Sequence, residues 1–144
     1  MKVSMSLQYH PEPGTIVVCN FRGLEAPEMV KKRPAVVISP RLRNRGKLCT
    51  IVPCSTSEPP RISLYHFKLH VDPPLPAPYD SSCQWTQDDM VYTVSFERLT
   101  IPFKGKDSSG KRIYDARVID KSDLIKIQEC VLHGIGLSQL SGYL

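Results

Sequence analysis

Six or seven short apolar runs, cut apart by proline, glycine and charge, precede one helical pattern at the C-terminus. No strand-like run alternates with a helix, which argues against a parallel doubly wound sheet. The order predicts a mainly β chain, folded as a small antiparallel barrel with a packed C-terminal helix. Residues 15–21, 34–39 and 47–53 are rich in β-branched side chains and read as strands, the second and third paired antiparallel. Residues 62–71 alternate well enough for one strand at an edge, since proline stands on both sides of them. Residues 85–94 read as another strand, and 95–99 as a short helical turn. Residues 101–104 and 111–118 flank Asp107-Ser-Ser-Gly110, a polar tip that predicts a hairpin. Asp120 or Ser122 is expected to cap the final helix. Leu124, Ile127, Val131 and Ile135 fall on one face of it, and Gly134 and Gly136 are expected to end it.

The chain of 144 residues fits a single domain, 1–144. Residues 1–10 read as a loose arm. Residues 57–82 hold six of the 13 prolines and read as a long proline-rich insertion. No run approaches the ~18 apolar residues of a membrane span, and the N-terminus lacks the apolar stretch of an export signal. Five cysteines at irregular spacing, none in a CxxC pair, predict buried reduced thiols in a cytoplasmic protein. His66 and His70 share a face at strand spacing, but no third ligand follows, so no metal site is expected. No glycine-rich phosphate loop and no GxSxG elbow is present.

Charge is concentrated. Arg22, Lys31, Lys32, Arg33, Arg41, Arg43, Arg45 and Lys47 face only Glu25 and Glu28 within 26 residues, eight against two, a net +6 that exceeds the +5 of the whole chain. Such a field gathers polyanions, although a solvated loop face has the same composition. Arg33 has a guanidinium fork suited to phosphate oxygens, and Pro34 holds it in extended backbone. Its plain alternative is a structural pair with Glu28. Ser55 and Thr56 end an apolar run, where a hydroxyl can hold a phosphate or a ribose, or simply satisfy a turn. Glu28 and Asp89 are the carboxylates able to take a proton from a nucleophilic hydroxyl.

Pro13-Gly14-Thr-Ile-Val, Glu28, Lys32-Arg33-Pro34-Ala-Val-Val-Ile-Ser39-Pro40 and Ile51-Val-Pro-Cys-Ser55-Thr56 together resemble the PemK/MazF family of toxins from bacterial type II toxin–antitoxin modules. The match is dense over 11–57 and looser over 89–99 and the last helix. The resemblance implies an SH3-like barrel that forms a homodimer. It implies a metal-independent endoribonuclease, without cofactor, that cuts single-stranded RNA and is silenced by a cognate antitoxin. On that basis Arg33, Ser55, Thr56, Glu28 and Asp89 are the candidate catalytic residues, with the base open between Glu28 and Asp89. Lys31, Lys32, Arg41, Arg43 and Arg45 are the candidate RNA-binding residues. Segments 57–82 and 101–118 are longer than in compact members. The alternative is a non-catalytic SH3-like module that binds nucleic acid or peptide.

Overall fold

A computed structural model describes residues 6–144. Nine strands and one long helix follow in order: β1 (Ile16–Cys19), β2 (Arg33–Val37), β3 (Leu48–Ser55), β4 (His66–His70), β5 (Cys83–Gln87), β6 (Tyr92–Ser95), β7 (Leu99–Thr100), β8 (Phe103–Lys106), β9 (Arg112–Tyr114) and α1 (Lys121–Gly134). The main sheet runs β4-β5-β3-β2-β1-β7, and β6 joins it along β3. Every ladder is antiparallel. The mainly β class and the C-terminal helix are as the pattern predicts. The closed barrel is not formed by hydrogen bonds. β6 on the edge of β3 and β7 on the edge of β1 are joined only by the 3-10 turn Phe96–Arg98.

β3 is the organising strand because its eight residues reach three partners. One edge pairs β2, while the other pairs β6 through Leu48–Ile51 and β5 through Cys54 and Ser55. β1 and β2 are buried along nearly their whole length, which is why they read as continuous apolar runs. Alternate residues fill two cores. Val17, Cys19, Ala35, Val37 and Ile51 pack on one face with Phe21 and Leu99. Ile16, Val36, Val52 and Cys54 pack on the other with Leu69, Leu75 and Ile127 of α1.

Several expectations change. The run 85–94 is not one strand, because Asp88-Asp89-Met90 turns the chain between β5 and β6. Residues 62–65 of the proposed edge strand precede β4 rather than joining it. The arm falls partly outside the described residues, at 1–5. What is described of it is anchored: Leu7 is buried and donates its N–H to the Leu99 carbonyl at 3.0 Å. The proline-rich segment is tied down by Val71 and Leu75 in the second core and by Tyr79 packed against it. Asp120 takes the N-cap position of α1, but its side chain makes no capping bond. Ile127 is the buried residue of the helix, and Ile135 is 54% exposed, so the expected apolar stripe stops a turn early. Gly134 is the last residue of the helix, as expected, and it has a second task. A Cβ there would stand 2.7 Å from the Asp88 carbonyl oxygen and the Asp89 Cα, so glycine lets α1 approach that turn. Gly136, at φ +81°, then supplies the left-handed residue that closes the helix.

Candidate active site and nucleic-acid interface

Strand register decides what stands beside Arg33. Cys19 pairs with Arg33, and Ala35 pairs with Pro53. Continuing that register two residues sets Arg33 opposite Ser55. Ser55 pairs in turn with Trp85, and Trp85 with Lys68. Cross-strand partners point to one face, so Arg33, Ser55, Trp85 and Lys68 form a row across the sheet. The Lys68 ammonium stands 5.9 Å from the centre of the Trp85 ring, within cation–π range. Trp85 and Lys68 are invisible as site residues in the sequence, because only non-local pairing brings them to Arg33.

Arg33 is half-buried, and its Nε is shielded from solvent with no hydrogen-bond partner among the described residues. A buried donor of this kind is costly unless something is meant to accept from it. Glu28 does not supply that acceptor: among the described residues the ion pairs are Arg117–Asp115 and Lys126–Glu129. The Glu28 carboxylate accepts from the Glu25 amide at 2.9 Å, closing an exposed turn in the loop that leads into β2. Met29 of the same loop donates its N–H to the Tyr92 hydroxyl at 3.0 Å, tethering the loop to β6. The Ser55 oxygen accepts from the Ser57 amide at 3.1 Å, so its own proton is free to donate. Thr56 is exposed beside it.

Tyr79, another residue the sequence does not flag, closes the end of β2. Its hydroxyl donates to the Lys32 carbonyl at 3.5 Å. Burial raises the pKa of the phenol, and the nearby Arg33 guanidinium opposes that rise. Asp89 is placed apart from the row. It is exposed in the turn after β5, with its backbone against Gly134 of α1. Its neighbour Asp88 is fully buried and accepts from the Thr86 hydroxyl at 2.8 Å, with the Cys130 thiol also against its carboxyl. Burial pushes the Asp88 carboxyl up to about 8, against the bonds from Thr86 and Cys130 and with help from Asp89.

The basic cluster is divided. Lys31, Lys32 and Arg33 stand at the start of β2, whereas Arg41, Arg43 and Arg45 follow its end, about 13 Å of extended strand away. Lys31, Lys32, Arg41 and Arg43 are exposed. Arg45 is half-buried and donates to Thr50 Oγ1 at 3.3 Å, which gives it a structural task. Arg98 joins the Arg33 end, donating to the carbonyls of Asn20 and Arg22 at 2.9 and 2.7 Å.

All five cysteines are free thiols. Burial pushes Cys19 up to about 12, Cys49 up to about 11 and Cys130 up to about 12, so none of these three is a thiolate nucleophile at neutral pH. Among the described residues, no three His, Cys, Asp or Glu side chains are grouped to hold a metal ion. No helix among them is long and apolar enough to cross a membrane.

A sequence model of the PemK-like, MazF-like toxins of type II toxin–antitoxin systems matches residues 12–132. The chain belongs to this family. Comparison with curated proteins by sequence finds no match. Among solved structures, MazF of Deinococcus radiodurans superposes with a TM-score of 0.59 at 19% identity, covering 90% of this chain and 99% of that one. A mycobacterial endoribonuclease in complex with its cognate antitoxin gives 0.58 at 17%, covering 88% and 96%. A MazE–MazF structure from D. radiodurans gives 0.52 at 19%, covering 91% and 100%. These likenesses establish a shared fold. The family match includes the Arg33 row, the Glu28 loop and all of β1 to β9.

Proposed function

We propose that this toxin is an endoribonuclease that cleaves single-stranded RNA at the Arg33 row without a metal ion. The observation that carries the reading is the Ala35–Pro53 register, which extended by two residues sets Arg33 opposite Ser55, together with an Arg33 Nε that has no partner among the described residues. Its setting is a fold shared with proteins described as endoribonucleases.

The chemistry follows from what each group can do. The ribose 2′-oxygen loses its proton to a carboxylate and attacks the adjacent phosphorus. The bond from phosphorus to the 5′-oxygen breaks, and that oxygen takes a proton from water. The products are a 2′,3′-cyclic phosphate and a 5′-hydroxyl. Negative charge grows on the phosphoryl oxygens in the transition state, where a fixed guanidinium stabilises it. Arg33 takes that role, since its pKa makes it a poor proton donor. Ser55 donates to a phosphate oxygen, and Thr56 holds the neighbouring sugar or phosphate. Glu28 is favoured as the base because its loop runs directly into β2, whereas Asp89 lies against α1. Lys31 and Lys32 bind the backbone of the strand.

Arg33→Ala is expected to lower cleavage of a mixed RNA pool by about 10²-fold or more. The parent's fragments should carry cyclic phosphate ends and form equally in EDTA. Parental cleavage by a folded Arg33→Ala protein would refute the assignment. We further propose a homodimer, and separately an antitoxin partner like the cognate antitoxin bound to the mycobacterial endoribonuclease. A monomeric mass by light scattering at micromolar concentration would refute the dimer.

A further inference from the structure

The β8–β9 hairpin and the proline-rich segment enclose a cleft of about 210 Å³ around the end of β2 from the Arg33 row. Val18 and Thr100 form part of its lining, with Pro78 and Tyr79 from the proline-rich segment, Phe103 from the hairpin and Lys32 from the loop before Arg33. The volume is below the ~300–1,000 Å³ of pockets that hold drug-sized ligands. Phe103 is 44% exposed, uncommon company for a phenyl ring among so many cations. The Arg112 guanidinium sits 5.0 Å from its ring centre and does not line the cleft, so the ring is backed by a cation on another side.

The hairpin carries an excess of positive charge. Lys104, Lys106, Lys111 and Arg112 are all exposed. Of the two nearby carboxylates, Asp107 accepts from the Ser109 and Lys111 amides and the Ser109 hydroxyl. Asp115 is bound by Arg117 at 2.7 Å. Asp115 is committed to Arg117, and the Asp107 carboxylate keeps its charge, so one negative charge stands among four cations.

We infer that this cleft holds one base of the single-stranded RNA substrate, stacked on Phe103, with the flanking phosphates on Lys32 and the hairpin cations. The inference rests on the nuclease reading above and adds a subsite to it. A backed aromatic ring beside cations is the combination that holds unpaired bases, since every base offers a π-face while its phosphates need positive charge. The excess of cations around the phenyl ring favours a base with its phosphates over a neutral peptide. Lys32 and Tyr79 link the cleft to Arg33, so one strand can pass from the row over the end of β2 into it.

The test uses a non-cleavable 2′-O-methyl RNA with 2-aminopurine placed in turn along its length. Binding to the parent protein should quench one position. Phe103→Ala should relieve that quench and weaken binding roughly tenfold or more, while Phe103→Tyr keeps both and controls for folding. Arg112→Ala should weaken binding and flatten its salt dependence. If Phe103→Ala binds and quenches like a parent that still cuts RNA, the base subsite is wrong and the nuclease reading stands. If the parent neither binds nor cuts RNA, both fall. If Phe103→Ala keeps RNA binding but loses a synthetic acidic peptide that the parent binds, the cleft is a protein-docking site and the inference is overturned.

Discussion

Asp88 and Asp89 are adjacent in sequence and opposite in chemistry. Asp89 is exposed, while Asp88 is buried against Thr86 and Cys130. Its carboxyl, held near 8 by burial, stays protonated at pH values where an unfolded chain has ionised it. The folded state therefore binds more protons than the unfolded state between about pH 4 and 8, and stability must fall as pH rises through that window. The contribution is fully present below the unfolded pKa and gone above the folded one. The slope reaches up to about 1.4 kcal/mol per pH unit. Asp88→Asn, which keeps an acceptor for Thr86, should flatten the urea-midpoint profile over this range and stabilise the protein at pH 8. An unchanged slope would show that Asp88 is not the group titrating. At Arg33 the decisive property is the fork and not the charge alone. Arg33→Lys should keep the charge yet leave cleavage at least about tenfold down, measured on the same RNA pool as Arg33→Ala.

The C-terminal helix shows how one element is placed by a residue that looks like a defect. Gly134 costs helix propensity, which is why it reads as a terminator. In the fold it is the contact point between α1 and the turn after β5, with no room for a Cβ. Gly134→Ala should destabilise the protein by about 1–3 kcal/mol despite improving helix propensity, as overpacking against backbone does. Chemical denaturation would show this, and a gain in stability would mean that the helix shifts freely. The helix end is legible in part. Gly136 at φ +81° lets the Leu137 amide reach the Leu132 carbonyl at 2.8 Å and the Gly136 amide reach His133 at 3.2 Å. The break between β5 and β6 is not legible, because Asp88 and Asp89 interrupt an otherwise strand-like run without glycine or proline. What bends the chain there is β3, whose single edge offers separate pairing sites to β5 and β6.

Across the molecule, the run of cations from Arg22 to Lys47 becomes two patches with β2 between them. If RNA passes over the Arg33 end, neutralising Lys31 and Lys32 together should lower cleavage more than neutralising Arg41 and Arg43 together, and should reduce the salt dependence by more. Equal losses would place RNA along the whole strand. Charge density in sequence could not separate these cases, since it has no direction along the strand. The same holds for the candidate site. Arg33 and Ser55 were visible as residue types suited to phosphate, 22 positions apart. Their juxtaposition depended on antiparallel register, and Trp85, Lys68 and Tyr79 came with it.

Local chemistry decided the strands around residues 16–19, 33–37 and 48–55, the hairpin around Asp107-Gly110, and the single terminal helix. β-branched runs, polar turn residues and helical periodicity act over a few neighbours, so they can be read in one dimension. The tertiary structure alone decided that the hydrogen-bonded sheet stays open, that Leu7 belongs to the core, that Asp88 is buried beside exposed Asp89, and that the cations divide. Each of these depends on which distant strand occupies an edge or a face. That choice is made by the packing of the whole chain, not by the preferences of the residues concerned.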